Sequence, residues 1–307
     1  MSKSKSNTNG RYFEYLISNY IQNKFNVCLS DRALGDQKRD QEKEQYIARS
    51  DLDVMHAALK PITNWIQKKI KLDNRTSYDR LPDKGSKLSG AGHSDIELNR
   101  DSKSISLSLK FNHSAVFHGR PYTLPQACGF SSNSKEANEF RSTQLEECKK
   151  VREFIKPGTQ FASNGILEEY TAPWAKFMQS IVFNQAAFLN KYATDQDINS
   201  NLFNSIIGGG KNKYRIILDS KKKQLHFEDI TNLCHPTSFK AEVKQEGISY
   251  QFYLVITFNN GLILMSRHKH DSRYMTNHGT QVLIKPDWQV ADWGDSGMRR
   301  DIKNLST

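Results

Sequence analysis

The stretch that most restricts what this chain can become is 92–112, Gly-His-Ser-Asp-Ile-Glu-Leu-Asn-Arg-Asp-Ser-Lys-Ser-Ile-Ser-Leu-Ser-Leu-Lys-Phe-Asn. Side chains alternate between faces along a strand. Asp95 and Glu97 therefore share one side and Ile96 and Leu98 the other. After a polar turn at 99–103, Ile105, Leu107 and Leu109 fall on one side and Ser104, Ser106, Ser108 and Lys110 on the other. The pattern predicts a β-hairpin with one face on a core and a second, open face carrying carboxylates, hydroxyls and an ammonium group. Opposing residues of antiparallel strands stand about 5 Å apart, so an acid and a lysine come within reach of the same water and phosphate. Phosphodiester hydrolysis asks for oxygen ligands to a divalent cation beside a group that accepts a proton or stabilises charge. D-x-E and S-x-K are short motifs, and the same residues suit an ordinary solvent-facing hairpin.

Around the hairpin the apolar spacing sets a coarse plan. Residues 1–9 are polar and read as a disordered tail. Tyr12, Phe13, Leu16, Tyr20 and Ile21 recur at helical spacing up to about Phe25, with Glu14 off the main apolar stripe. The charged segment Asp36 to Arg49 reads as solvated, and Asp51 to Leu72 as an amphipathic helix with Pro61 a kink or break. Residues 73–92 read as a loop leading into the hairpin. Helices are expected over 135–155, stopped by Pro157-Gly158, and over Pro173 to Tyr192. After the Gly208-Gly209-Gly210 turn, strands are expected at 214–218, 224–227, 250–258, 262–266 and 281–290. The fold class is thus α/β in the α+β sense. Its expected parts are an α/β catalytic core (10–134), a helical part packing on it (135–210) and a β-rich, DNA-contacting C-terminal part (211–307).

The chain carries 44 basic against 33 acidic residues, a net +11. That balance points to a polyanionic partner, and nucleic acid is the favoured one. No apolar run approaches the ~20 residues needed to span a bilayer, and the N-terminus lacks the apolar core of a signal peptide. The expectation is a cytoplasmic protein without membrane contact. Cys28, Cys128, Cys148 and Cys234 are scattered, with no C-x-x-C pair, as in four reduced thiols with neither zinc site nor disulfide framework.

Gly10-Arg11-Tyr12-Phe13-Glu14-Tyr15, Gly92-His93-Ser94-Asp95-Ile96 and Ser106-Leu107-Ser108-Leu109-Lys110-Phe111-Asn112-His113 together resemble HaeIII-like type II restriction endonucleases of the PD-(D/E)xK nuclease superfamily. A looser similarity extends to Leu218-Asp219-Ser220 and to His278-Gly279-Thr280-Gln281-Val282 with Ile284-Lys285-Pro286-Asp287-Trp288-Gln289. The resemblance implies a mixed sheet core flanked by helices, with helical insertions. It also implies Mg2+-dependent cutting of double-stranded DNA at a short specific sequence, as in a restriction-modification system, with a cognate DNA methyltransferase as genetic partner. By resemblance, Asp95 is the strand-end metal ligand, Lys110 the catalytic lysine, Glu14 the helix-borne carboxylate, and the carbonyl of Leu109 a neutral ligand. The chain departs from the family's signature at Ser108, where Asp or Glu is usual. A hydroxyl is a poor ligand for a hard cation, so the second charge must come from Glu14 or Glu97. A palindromic target favours a homodimer.

Direct base and phosphate contacts are expected from loops at 112–126 and 267–285, naming Asn112, His113, His118, Arg120, Arg267, His270 and Lys285. The run Arg267-His268-Lys269-His270-Asp271, with His278, also has zinc-ligand types, but a basic DNA-facing loop suits it better. Gly208-Gly209-Gly210-Lys211-Asn212 lacks the first glycine and the hydroxyl of a phosphate-cradling loop and reads as a turn. Lys221-Lys222-Lys223 reads as a hairpin tip. Two other functions fit the same residues: a non-catalytic DNA-binding protein, and a repair or junction nuclease on the same fold.

Overall fold

The computed structural model describes residues 5–80, 95–112, 115–117, 121–156, 158–159, 168–208, 212–247, 251–270, 277–278, 281–282 and 284–306. The first half runs α1 (Lys5–Phe25), β1 (Cys28–Leu29), α2 (Asp31–Gln41), α3 (Arg49–Lys69), β2 (Ser77–Arg80), β3 (Ile96–Arg100), β4 (Lys103–Phe111) and β5 (Ala115–Phe117). Helices α4 (Leu124–Ala127), α5 (Lys135–Phe154), α6 (Glu168–Asn190) and α7 (Gln196–Ile207) follow. The rest is β6 (Lys213–Asp219), β7 (Gln224–Asp229), β8 (Phe239–Gln245), β9 (Phe252–Phe258), β10 (Ile263–His270), β11 (Asn277–His278), β12 (Gln281–Val282), β13 (Ile284–Asp292) and β14 (Arg299–Asn304). The fold is mixed α/β, as expected.

Seven strands form a mixed sheet in the order β1-β2-β3-β4-β6-β7-β14, parallel at β1/β2 and β4/β6. Five form an antiparallel sheet, β5-β13-β10-β9-β8. The pairing redraws the expected division at 134 and 210. A parallel neighbour needs a crossover, and between β4 and β6 the chain passes through β5 and α4 to α7. Consequently β6, β7 and β14 complete the sheet that holds the hairpin, while β5 joins the second sheet.

Each sheet has its own core. Against one face of the seven-stranded sheet lie Phe13, Ile17 and Ile21 of α1 and Met55, Ile62 and Ile66 of α3, covering Ile96, Leu98, Leu107, Leu109, Ile216 and Leu218. Each such side chain, fully buried, contributes about 1.5–3 kcal/mol. The second core joins Phe140, Phe177, Ile181 and Leu202 of α5, α6 and α7 to Leu254, Ile256 and Leu264. Helix starts follow the local chemistry, with Ser30, Ser134 and Asp195 accepting from Ala33, Ala137 and Ile198 amides. Gly208, at φ 72°, ends α7 in the left-handed conformation.

Several local expectations are corrected, among them the loop at 73–92, in which Ser77–Arg80 form β2 by pairing with β1 and β3. Helix α1 begins at Lys5 rather than after residue 9, because Thr8 is buried and Asn9 bonds Asp51 at 3.1 Å. The Asp36 to Arg49 segment is not simply solvated: α2 covers its first residues and Asp40 is fully buried among cations. Pro61 lies inside an unbroken α3. The apolar stripe continues past it through Ile62 and Ile66, both fully buried, so burial outweighs the backbone bond that Pro61 cannot make to the Ala57 carbonyl. Residues 196–207 form α7, which periodicity reasoning passed over.

Candidate active site

The hairpin supplies the site's first half. β3 and β4 pair Ile96 with Leu107, Glu97 with Ser106 and Leu98 with Ile105. Asp101 takes the left-handed turn position at φ 52°, a conformation that Asp tolerates. At the other end the Asp95 amide donates to the Leu107 carbonyl at 2.8 Å. Its carboxylate then takes over the ladder: Oδ2 accepts from the Leu109 amide at 2.8 Å, from Ser108 Oγ at 3.1 Å and from Lys110 Nζ at 3.4 Å. Asp95 is thereby fixed by backbone as well as side chains, with its other oxygen, Oδ1, unengaged by the described residues. Ser108 acts as a donor that orients Asp95.

The second acid comes from α1. Glu14 is partly buried and forms an ion pair with Arg80 of β2. Its carboxyl is pushed up to about 7, by burial first and then by the Asp95 charge, while Arg80 and Lys110 pull the other way. Arg80 and Glu14 attract one another, yet at Glu14 desolvation and the neighbouring acid win. Glu14, Asp95 and Lys110 therefore form one electrostatic group. Glu97 stands outside it: it accepts from Ser104 Oγ at 3.0 Å and faces Ser106 and Asp79 across its neighbours. Of the two carboxylates left open by the sequence, Glu14 is the one whose charge interacts with Asp95, while Glu97 is held by Ser104.

Arg80 also holds Asp40 at 2.7 Å and Asp36 at 3.2 Å. Burial alone would raise the Asp40 carboxyl, but hydrogen bonds from Arg39, Lys43 and Arg80 overcome it and hold the group well below the usual carboxylate range. Lys213 was missed by sequence reasoning. It opens β6 opposite Ser106, is 4% exposed, and has its ammonium pushed down to about 8, chiefly by burial. The available signal was the alternation of Lys213 and Arg215 with apolar Tyr214, Ile216 and Leu218.

The expected DNA contacts fare differently. Asn112 spends both amide atoms on Ser220, donating to its Oγ at 2.8 Å and accepting from its amide at 2.7 Å, so it clamps the ends of β4 and β6 rather than reading a base. Tyr122 is buried and donates to the Val282 carbonyl at 2.7 Å, which removes this part of 112–126 from the surface. Residues His113, His118 and Arg120 lie outside the described residues. The 267–270 run is strand β10, not a loop, because it pairs with β9 and β13. Arg267 and Lys269 share a partly exposed face beside Asp287, while His268 on the opposite face is buried and pushed down to about 4 by desolvation. His270 and Lys285 lie in β10 and β13, and their side chains are outside the described set.

An oxygen-preferring cation such as Mg2+ finds matching donor chemistry here: the carboxylates of Asp95 and Glu14, and the Leu109 carbonyl. The repulsion that raises Glu14 is what a divalent cation would relieve. Among the described residues no cluster of three or more His, Cys, Asp or Glu side chains is placed to hold a metal ion, so a metal would rest on these two acids. Cys28 and Cys234 are exposed, Cys128 and Cys148 buried, and all four are free. No helix among the described residues is long and apolar enough to cross a membrane. No protein-family model, no curated protein and no solved structure matches this chain.

Proposed function

We propose that the chain is a PD-(D/E)xK-type, Mg2+-dependent deoxyribonuclease that cuts double-stranded DNA at a short sequence, as type II restriction endonucleases do. The observation that carries this is the junction of Asp95 with Ser108, Leu109 and Lys110 on adjacent strands, with Glu14 coupled to it from α1. The net charge of +11 suits a polyanionic substrate. A palindromic target and a homodimer belong to the same proposal, as does a methyltransferase as genetic partner.

In this reading Asp95 and Glu14, with the Leu109 carbonyl, would hold Mg2+, which would supply polarisation of the phosphate and a more acidic water. Asp95 keeps Lys110 Nζ at 3.4 Å, where the ammonium orients the attacking water and offsets charge building on the phosphate. Ser108 and the Leu109 amide prevent Asp95 from turning away as charge moves. Glu14 must give up its proton for the site to fill. Arg267 and Lys269, partly exposed on one face of β10 beside Asp287, would contact the duplex backbone.

Plasmid incubated with the purified chain and Mg2+ tests this. Discrete bands support the proposal. Smears or structure-selective cuts indicate a repair or junction nuclease, and a gel shift with intact DNA indicates a binding protein. Lys110→Ala should abolish cutting yet retain binding; a variant that cuts at the normal rate refutes the site.

A further inference from the structure

Lys213 is a charged group to which the mechanism above gives no task. Because it pairs with Ser106, its side chain projects from the face that carries Ser106, Ser108 and Lys110. The residue is 96% enclosed by protein, yet no hydrogen bond or ion pair meets its ammonium among the described residues. Such burial of an unpaired charge is costly. Nearby groups do not repay it. Asp95 attracts Lys213, but the engaged Asp95 oxygen already serves Ser108, Leu109 and Lys110, while Lys110 and Arg215 repel it. Arg215 is itself committed to Glu228 at 2.5 Å, and Arg300 reaches the same carboxylate at 2.7 Å. The other acids of this sheet face are engaged elsewhere: Glu228 by Arg215 and Arg300, Glu97 by Ser104 Oγ at 3.0 Å and Asp79 by Ser30 Oγ at 2.5 Å. What Lys213 lacks is an anion of its own.

We propose that Lys213 forms a phosphate subsite, its ammonium holding a non-bridging oxygen of the phosphodiester group next to the one placed at Asp95 and Lys110. Lys213 stands four positions before Ile217, the residue opposite Lys110. That offset is about 13 Å along the strands, too far for both lysines to grip one phosphate oxygen in extended form, so Lys213 meets a different phosphate group of the same DNA strand. Lys213 is on this account a positioning residue. The inference rests on the nuclease proposal for its substrate, but not for its chemistry.

The test compares the full chain with Lys213→Met and Lys213→Arg, each checked for cooperative melting, in binding duplex DNA without Mg2+ over a salt series. Lys213→Met should bind about tenfold more weakly and lower the salt slope by about one, and Lys213→Arg should restore both. In cutting assays Lys213→Met should raise KM about tenfold and leave kcat within about twofold. Should Lys213→Met fail to melt cooperatively, Lys213→Gln serves in its place. Unchanged affinity and slope in the charge-removed variant overturn the subsite. If the wild-type chain neither binds nor cuts DNA, the nuclease reading has failed, and inorganic pyrophosphate decides Lys213 alone. A rise in Tm of the wild type but not of the charge-removed variant supports the subsite, and equal or absent rises overturn it.

Discussion

Glu14→Gln is the perturbation whose size the structure sets most directly. Burial and the Asp95 charge raise the Glu14 carboxyl from 4.5 to about 7, against the pull of Arg80 and Lys110. At about 1.4 kcal/mol per pH unit, the ionised form is disfavoured in the folded chain by about 3 kcal/mol, and the 13% exposure of the side chain leaves little to discount for solvent. The sign follows from linkage: between pH 4.5 and 7 the folded chain binds more protons at this position than the unfolded one, so stability falls as pH rises through that window and stays lower above it. Glutamine imitates the protonated acid at every pH. The variant should therefore match the wild type near pH 4.5 and exceed it by about 2–3 kcal/mol at pH 8, read from urea unfolding at both pH values. In the same preparations it should lose Mg2+-dependent cutting. An advantage that does not grow between pH 4.5 and 8 would show that Glu14 is not held up by its surroundings, and the coupling to Asp95 would fall with it.

Three further outcomes follow from other parts of the molecule. Asp40→Asn removes a fully buried carboxylate that holds Arg39, Lys43 and Arg80 and should cost about 3 kcal/mol, measured by urea unfolding at pH 7. Glu97→Gln should leave cutting within about threefold of wild type while Glu14→Gln loses more than about 100-fold, since only the latter removes a proposed metal oxygen; equal losses would return Glu97 to the site. His268→Phe should flatten the acid limb of the stability curve. The buried His268 is pushed from 6.5 to about 4, so the unfolded chain binds the extra proton and the wild type loses about 3 kcal/mol as pH falls across that window, whereas the variant does not.

The legible part of the site was the part that depends on local spacing. Asp95 and Lys110 meet because two strands of one hairpin alternate, and alternation can be read from consecutive residues. Glu14 entered through resemblance and α1 periodicity, and the choice between it and Glu97 needed the packing of α1 on β4. Alternation marked Lys213 as strand-borne, but its place beside Lys110, like that of Arg80, was hidden because each reaches the site through pairing between separate segments, β4 with β6 and β2 with β3. The division of the chain failed for the same reason: Arg299–Asn304 is exposed along its whole length and has no apolar period, yet backbone pairing with β7 makes it the edge of the first sheet. Asn112, His268 and Tyr122 have side chains suited to nucleic acid, but their use is set by what surrounds them, a serine clamp in one case and a core in the others.

In the proposed nuclease, Ser108 would explain why a second acid has to come from another element. The residue is 4% exposed and its hydroxyl lies 3.1 Å from Asp95 Oδ2. A carboxylate there would face Asp95 at hydrogen-bond distance with almost no water, and one of the two would have to hold a proton. With serine, that contact becomes attractive, and Asp95 is fixed in place before any cation arrives. The negative charge withdrawn from β4 reappears on α1 as Glu14, accompanied by Arg80, which is itself anchored by Asp36 and Asp40. In the proposed enzyme, a divalent cation and Arg80 then compete for the same carboxylate. Asp36 and Asp40 would keep Arg80 paired if Glu14 turned to a cation, so no partly buried guanidinium would be left without an acid.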